Sequence, residues 1–251
     1  MLLKSRIKYI QSLGHKKSRQ EAGEFLAEGP KIAAECIRFA AQDVRAVYAL
    51  KPWLEEASRI LTKLDPGIVQ EVDELDLLRL SQLQTPNQVL LLMAERPRSF
   101  PPDTVDQPIL VLDDIQDPGN FGTLLRTADW FGIHSIVCTR DCADLYNPKV
   151  IQASMGSFLR CSVSYTEPAE WIDALPGQVA VYGTLLEGQG IFEYGPIDRG
   201  LILVGNESRG LSPGLQQRTT HKVTIPRIGG AESLNAAVAA GIVMSVLTRK
   251  L

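Results

Sequence analysis

The chain has 251 residues, of which 45% are hydrophobic and 22% are charged, and its formal net charge is −3 at pH 7. This composition is typical of an ordinary soluble globular protein and argues against a uniformly basic nucleic-acid binder. No apolar run approaches the roughly 20 residues that span a membrane. The length predicts one large or two smaller domains. The N-terminus lacks an apolar core and a small-residue cleavage site, so we expect no signal peptide.

A basic cluster occupies the first 20 residues, which contain no Asp or Glu. Its six members are Lys4, Arg6, Lys8, Lys16, Lys17 and Arg19. Such a cluster is typical of a surface that contacts phosphates. The alternative is a solvated basic helix face, and the sequence favours neither interpretation.

The first 97 residues predict a compact α/β unit, because helical and strand patterns alternate along them. The predicted helices cover residues 4–13, 31–41, 52–64 and 74–84, and a short apolar piece at 25–30 ends in Gly-Pro. The predicted strands cover residues 44–50, 68–72 and 89–94. The last strand is uniformly apolar, which indicates a strand buried on both faces.

Four prolines and five charges within residues 95–108 indicate an extended linker. We predict a first domain at 1–95, a linker at 96–107 and a second domain at 108–251. The second domain alternates strands at 109–113, 135–138, 159–163, 179–183, 201–204 and 223–225 with helices at 120–131, 148–156, 167–174, 213–217 and 234–249. This pattern predicts a mostly parallel sheet covered on both faces, in which ligands bind beyond the carboxyl ends of the strands.

Polar residues follow the first strand of this domain. After the turn Asp117–Gly119, Asn120 opens a helix on which Arg126 lies four residues beyond Gly122. The missing side chain at Gly122 leaves room for a ligand group to approach the guanidinium. The alternative is that Asn120 caps the helix and Arg126 forms an ion pair with Asp129, three residues later.

Two further strands end in glycine-containing loops. The run Gly205–Glu207 lacks both the G-x-G-x-x-G and the P-loop patterns, so neither NAD nor ATP is indicated. The pair Gly229–Gly230 precedes the last helix, where Ser233 stands at the expected N-cap. On this helix we expect one apolar stripe, formed by Leu234, Val238, Ile242 and Val246, and one small-residue face, formed by Ala237, Ala240 and Gly241.

Four of these features match, in order and spacing, the three motifs of the SpoU branch of the SPOUT RNA methyltransferases: Asn120, Arg126, the run Gly205–Glu207 and the turn Ser233–Asn235. The resemblance covers about residues 107–251, and the first 95 residues look like the family's small N-terminal domain, which binds RNA. It implies an α/β fold with a C-terminal knotted parallel sheet, a deep trefoil, and a homodimer with the active site between subunits.

The resemblance also implies a site for S-adenosylmethionine. It places the cofactor around Thr184, Leu203, Gly205, Asn206, Ile225 and Leu234, and the catalytic residues at Asn120, Arg126, Glu207, Ser233 and Asn235. Because an arginine keeps its proton up to a pKa above about 12, we expect Arg126 to stabilise the developing alkoxide as a cation, with an RNA phosphate as proton acceptor. Asn120 would orient Arg126 or the ribose, Glu207 would hold the loops, and Ser233 with Asn235 would shape the pocket.

Two positions depart from the family pattern: Ser208 stands where glycine is frequent, and Glu232 lies in a variant third loop, where it is a candidate for biasing substrate choice. The four cysteines, Cys36, Cys138, Cys142 and Cys161, lack metal-site spacing, so we expect reduced thiols in a cytoplasmic protein and no metal.

The predicted activity is transfer of a methyl group from S-adenosylmethionine to a ribose 2′-hydroxyl of structured RNA. The N-terminal domain favours ribosomal over transfer RNA, and the sequence does not identify the nucleotide. Two alternatives are a non-catalytic RNA-binding scaffold with the same fold and a SPOUT enzyme that methylates a base.

Overall fold

The computed structural model describes residues 2–97 and 99–248, which divide into two compact units. The first unit consists of Met1–Pro97 and Asp144–Leu159, and the second of Arg98–Ala143 and Arg160–Leu251. The chain therefore returns to the first unit for residues 144–159, an excursion that the sequence does not indicate. The domain boundaries drawn from the sequence stay a prediction.

The secondary structure alternates along the whole described chain. The helices are α1 (Lys4–Ser12), α2 (Lys16–Ala22), α3 (Pro30–Ala40), α4 (Lys51–Glu56), α5 (Ser58–Leu61), α6 (Glu74–Leu80), α7 (Pro118–Trp130), α8 (Pro148–Ser154), α9 (Pro168–Ala174), α10 (Pro213–Arg218) and α11 (Ala236–Leu247). The strands are β1 (Glu24–Glu28), β2 (Val44–Ala49), β3 (Val69–Glu71), β4 (Val89–Ala94), β5 (Pro108–Leu112), β6 (Ser135–Thr139), β7 (Ser162–Thr166), β8 (Val181–Gly190), β9 (Gly200–Val204) and β10 (His221–Thr224).

The first unit contains a four-stranded sheet in the order β1-β4-β2-β3. Strand β4 runs antiparallel to β1 and β2, and its residues 89–93 are buried, as the uniformly apolar run predicts. One core cluster packs apolar residues of α1 and α6 onto the sheet. The unit also contains two elements that were not predicted, helix α2 and strand β1.

Helix α6 ends four residues earlier than predicted, because a buried carboxylate binds the chain beyond it. Glu28 is 4% exposed and accepts the Ser81 hydroxyl at 2.5 Å and the Gln82 backbone N–H at 2.8 Å. These bonds hold Ser81 in an extended conformation. Burial raises the pKa of Glu28 above its usual value. The predicted helix over 52–64 is likewise replaced by two shorter helices, α4 and α5.

Arg19 does not belong to the basic surface predicted for the N-terminus. It is 1% exposed, and its Nη1 atom donates to the carbonyl oxygens of Leu13 and Gly14 at 2.9 and 3.0 Å. Its Nη2 atom lies 2.5 Å from Asp144 Oδ2. Within the first unit, Arg19 therefore connects the turn between α1 and α2 to Asp144, the first residue of the segment 144–159. It is buried and not available to RNA.

The second unit is built on a six-stranded sheet in the order β10-β8-β9-β5-β6-β7. Every pairing in this sheet is parallel, which confirms the predicted parallel sheet. The aliphatic residues of β5 and β9 are buried almost completely, and α9 and α10 contribute to the core on one face. The threading of the chain that would form a trefoil knot stays a prediction.

Helix α11 differs from the prediction in its start and in its buried face. It begins at Ala236 because Asn235, not Ser233, is its N-cap. The predicted end at residue 249 lies outside the described residues. Its buried residues are Ala236, Ala237, Ala240, Val243, Met244 and Leu247, so the expected apolar stripe is not the buried one. Val238 of that stripe is 53% exposed. The small-residue side packs against α7, where a Cβ on Gly241 would lie 3.7 Å from Thr127.

All four cysteines are buried and free. Within the described ranges, no helix is long and apolar enough to cross a membrane. The same ranges contain no group of three or more His, Cys, Asp or Glu side chains that could hold a metal ion.

Candidate active site

Three loops of the second unit follow parallel strands and therefore meet at one edge of the sheet. We call them loop I (residues 113–117, after β5), loop II (205–212, after β9) and loop III (225–235, after β10). Loop I leads into α7 and loop III leads into α11. The predicted catalytic and cofactor-binding residues outside the strands lie on these loops or on α7, where Asn120 stands in the first turn and Arg126 two turns further along.

Loop I contains a strained residue whose backbone is fully hydrogen-bonded. Asp114 has a φ of +57°, a conformation that L-residues other than Asn and Asp rarely adopt. Its N–H donates to Thr139 Oγ1 at 2.8 Å, and its carbonyl oxygen accepts Asn206 Nδ2 at 3.0 Å. Its carboxylate forms an ion pair with Arg209. Asp114 therefore joins loop I to loop II through both backbone and side chain.

Loop II is a tight turn that glycine makes possible. A Cβ on Gly205 would lie 2.3 Å from the carbonyl carbon of Gly210, a distance that real Cβ atoms essentially never show. The side-chain oxygen of Asn206 accepts the backbone N–H groups of Ser208 at 2.9 Å and Arg209 at 3.2 Å. The Asn206 backbone N–H also donates to the Gly210 carbonyl oxygen at 3.1 Å, and its carbonyl oxygen accepts the Gly210 N–H at 2.8 Å. Because both its amide and its main chain are engaged, Asn206 builds the loop.

A chain of side-chain hydrogen bonds connects the first turn of α7 with loops II and III. Asn235 Nδ2 donates to Asn120 Oδ1 at 2.9 Å, and Asn120 Nδ2 donates to Glu207 Oε1 at 2.5 Å. Asn120 is not a helix cap, because Asp117 Oδ1 accepts its backbone N–H and caps α7. The structure thus brings together three of the five residues predicted to be catalytic.

The direction of this hydrogen-bond chain is determined at both ends. Asn235 Oδ1 accepts the N–H groups of Ala237 at 3.0 Å and Val238 at 3.3 Å, so only Nδ2 remains to face Asn120. An ionised Glu207 can only accept hydrogen bonds, so Asn120 must turn its Nδ2 toward that carboxylate. The α11 N–H groups therefore fix the orientation of the Asn235 amide, and Glu207 fixes that of the Asn120 amide.

Arg126 is exposed on α7. Its guanidinium has no hydrogen bond or ion pair with any residue in the described part of the chain. The alternative prediction, an ion pair with Asp129, is not formed. Asp129 Oδ2 instead lies 2.9 Å from Nε and 2.8 Å from Nη2 of Arg160. The second unit therefore presents Arg126 as a cation that none of its described residues neutralises.

The remaining predicted residues divide between buried and exposed positions. Thr184 Oγ1 donates to the Leu203 carbonyl oxygen at 2.8 Å, and Leu203 is fully buried, so its side chain belongs to the core. Ile225 is half-buried, and Leu234 is 46% exposed. Ser233 is exposed, and its hydroxyl has no hydrogen-bond partner within residues 2–97 and 99–248. The structure does not bring Ser233 into the hydrogen-bond chain.

Comparison with known proteins identifies the family. Residues 107–245, more than half of the chain, match the family model described as the SpoU rRNA Methylase family. The chain belongs to the SpoU rRNA methylase family. Residues 4–91 match a second family model, described as an MRM3-like substrate binding domain.

Relatives of this SpoU family member align over nearly its whole length. It is 30% identical over 242 residues to the 23S rRNA (guanosine(2553)-2′-O)-methyltransferase RlmP of Bacillus subtilis, covering 95% of this chain and 94% of the relative. It is 28% identical to a 23S rRNA (uridine(2479)-2′-O)-methyltransferase of Streptomyces viridochromogenes, covering 95% and 87%. The crystal structure of an AdoMet-bound rRNA methyltransferase from Sinorhizobium meliloti superposes with a TM-score of 0.83 at 27% identity, covering 98% and 94%.

Sequence reasoning missed three residues that organise this SpoU site. Asp113 is 4% exposed, and its Oδ2 accepts the Ser212 N–H at 2.6 Å. Asp114 and Arg209 form the ion pair between loops I and II. Two consecutive aspartates directly after a buried strand were the available signal, because such side chains must find partners where the strand ends.

Proposed function

We propose that this protein transfers a methyl group from S-adenosylmethionine to a ribose 2′-hydroxyl of ribosomal RNA. The observation that carries the proposal is the hydrogen-bond chain from Asn235 through Asn120 to Glu207, which links residues of all three family motifs at one sheet edge. The relatives named above act on 23S rRNA, one on a guanosine and the other on a uridine, so they support the RNA class and leave the nucleotide open. Because ribosomal RNA is the substrate, we place the protein in the cytoplasm.

The residues of loop III, together with Leu186 on β8, fit S-adenosylmethionine. Leu234 of loop III is 46% exposed and Ile228 of the same loop is 100% exposed, while Leu186 of β8 is 82% exposed. Exposed aliphatic side chains beside main-chain donors and acceptors are the surroundings that an adenosine requires. When bound, the cofactor supplies an electrophilic methyl group. Gly205 would hold it through its main chain, and Asn206, whose side chain and main chain are both engaged within the loops, would fix the shape of that turn.

Arg126 stabilises the charge that develops on the RNA. The 2′-hydroxyl must lose its proton as it attacks, and an oxyanion forms at that oxygen. An arginine remains protonated at neutral pH, so Arg126 acts as a cation next to this oxygen rather than as a base. It is free to do so because no acid of the described chain pairs with it. An RNA phosphate next to the ribose takes up the proton.

Asn120, Glu207 and Asn235 position the reactants. Their hydrogen bonds keep the start of α7, loop II and the start of α11 in one arrangement, and α7 carries Arg126. A fixed arrangement lowers the barrier because attacking oxygen and methyl carbon must be aligned in line. Ser233, exposed on loop III, contributes its hydroxyl to the pocket only when substrate or cofactor meets it.

The first unit selects the RNA. Its match to a substrate-binding domain model supports this role. Lys4, Lys8, Lys16 and Lys17 are exposed and form a basic surface on α1 and α2. Phosphate contacts of this kind give affinity but carry no sequence information, so the nucleotide is chosen by local RNA shape.

We place a second copy of the chain on the face formed by α7 and α11. Trp130 on α7 is 85% exposed and Val238 on α11 is 53% exposed. Such apolar groups on two packed helices are typical of a homodimer interface. Sedimentation should give a dimer for the wild type and a monomer for Trp130→Asp. A monomeric wild type would overturn the dimer alone.

Transfer of radiolabelled methyl groups tests the proposal. The protein is incubated with labelled S-adenosylmethionine and unmodified RNA, which is then separated into ribosomal and transfer fractions. We expect label in ribosomal RNA and none with Arg126→Ala, whose cofactor affinity should stay within about twofold of the wild type because Arg126 does not hold the cofactor. Cofactor binding without transfer to any RNA would instead support the non-catalytic scaffold.

A further inference from the structure

One residue of the N-terminal basic cluster differs from the others in how it is held. Arg6 is half-buried on α1, and its Nε donates to the Tyr48 hydroxyl at 2.6 Å. Its guanidinium carbon lies 5.5 Å from the ring centroid of Tyr9 and 5.8 Å from that of Tyr48. Two aromatic rings and one hydrogen bond therefore fix the orientation of this cation.

Both tyrosines are themselves anchored. Tyr48 is 2% exposed and belongs to the core of the first unit. Tyr9 packs against the same core, and its hydroxyl donates to Glu24. Burial together with Glu24 raises the pKa of Tyr9 to about 12, so the phenol keeps its proton and this bond at physiological pH. The rings that hold Arg6 are fixed parts of the fold.

The two terminal nitrogens of Arg6 have no partner within the first unit as described. Both nitrogens are also accessible to solvent. Among the described residues, the only buried side-chain nitrogen or oxygen without a hydrogen-bond partner is Nε of Arg19. No carboxylate oxygen of a described residue lies within 4.0 Å of the Arg6 guanidinium, the distance of an ion pair. Glu24 is hydrogen-bonded to Tyr9 instead. Through these two nitrogens the guanidinium can donate hydrogen bonds to a ligand in a bidentate manner.

We propose that Arg6 is a preformed binding site for one RNA phosphate on the first unit, an inference that rests on the proposed function. A planar guanidinium binds two phosphate oxygens at once, whereas a lysine binds as a point charge. Because the fold already orients Arg6, it loses little side-chain freedom on binding. Lys4, Lys8 and Lys16 are exposed on flexible stems, and Lys17 lies 3.9 Å from Glu21, so their contacts are weaker.

Filter binding of an unmodified bacterial 23S ribosomal RNA transcript, over about 50 to 200 mM salt, tests this site. Arg6→Ala should weaken binding about tenfold and flatten the slope of log affinity against log salt by about 0.7 to 0.9, the effect of one phosphate. Arg6→Lys should recover less than half of the binding free energy that Arg6→Ala loses. The matched control, Lys8→Ala, removes the same charge from the same helix and should weaken binding less than about threefold.

Tyr48→Phe keeps the ring and removes only the hydrogen bond to Nε. It should give an intermediate loss of affinity with the salt slope of the wild type, because the charge remains. Circular dichroism and thermal unfolding of each variant show whether the first unit is intact. If folded Arg6→Ala and Lys8→Ala variants lose affinity equally, or if Arg6→Ala lowers stability without changing the salt slope, Arg6 is not a phosphate site.

The outcomes separate this inference from the proposed activity. A wild type that binds the transcript with the expected Arg6 dependence but transfers no methyl group would overturn the activity and leave the phosphate site in place. Normal methyl transfer with an unchanged salt slope in Arg6→Ala would overturn only the phosphate site. A wild type that binds no RNA would overturn both.

Discussion

Replacing Asn235 by aspartate separates the two roles that this residue combines. Its Oδ1 accepts two backbone N–H groups at the start of α11, and its Nδ2 donates to Asn120. An aspartate keeps the cap, since Asp and Asn are equally good N-caps. It cannot donate, so the hydrogen bond to Asn120 is lost.

Asn120 cannot repair this loss by rotating its amide. With its present orientation, Asn120 Oδ1 would face the new carboxylate. After rotation, Nδ2 would meet that carboxylate but Oδ1 would face Glu207. In either orientation one amide oxygen faces an ionised carboxylate, and the connection between the loops is interrupted at one point.

The magnitudes follow from these contacts. The unfolding free energy should change by less than about 1 kcal/mol, because the lost bond is exposed and neutral and the cap remains. Asn235→Ala should cost about 1 kcal/mol more, because it also removes the cap. Turnover of Asn235→Asp should fall about 10- to 100-fold, since misaligned reactants lose about 1.4 to 2.7 kcal/mol of barrier lowering.

Urea unfolding and single-turnover methyl transfer measure the two effects separately. Asn147→Asp is the matched control, because Asn147 caps α8 through the Lys149 N–H and lies outside the three loops. It should leave both quantities near the wild-type values. If Asn235→Asp turns over like the wild type, the hydrogen-bond chain does not position the reactants, and the reasoning is refuted.

Three further predictions concern the loops and the thiols. Gly205→Ala should weaken S-adenosylmethionine binding at least tenfold by calorimetry, because its Cβ meets the Gly210 backbone. The control Gly230→Ala has nothing within 4 Å of its Cβ, so its affinity should stay within about threefold of the wild type; equal affinities of the two variants would contradict the turn geometry. Asp114→Ala should lower the melting temperature more than Asp114→Gly, since only glycine adopts a positive φ freely; the reverse order would show that the strain is unimportant. Burial raises the pKa of Cys36 and of Cys161 to about 12, so iodoacetamide at pH 8 should modify neither thiol until denaturant is added. Mass spectrometry detects the modification, and rapid labelling of the native protein would disprove the burial of these thiols.

The parallel sheet and the positions of the loops could be predicted because they depend on local patterns. Apolar runs such as residues 201–204 form buried strands wherever helices cover both faces, and their carboxyl ends meet at one edge. The resemblance to the SpoU family then implied that Asn120, Glu207 and Asn235 belong to one site, and the structure joins the three by hydrogen bonds.

The corrections arise from side-chain contacts between distant parts of the chain. Arg19 looks like a surface cation in a basic run, yet its partner Asp144 is 125 positions away. Helix α6 would continue by local propensity, but the distant Glu28 binds its end. Ser233 and Asn235 are both good caps, and only the path of loop III decides that Asn235 is used. No local pattern contains this information.

The position of the transferred methyl group tests the central claim most directly. Ribosomal RNA labelled by the wild-type protein is hydrolysed with alkali, which cleaves beside every free 2′-hydroxyl but not beside a methylated one. We predict that the label survives in an alkali-resistant dinucleotide and is absent with Arg126→Ala. Label released in mononucleotides would show methylation of a base, and it would contradict ribose methylation by this site.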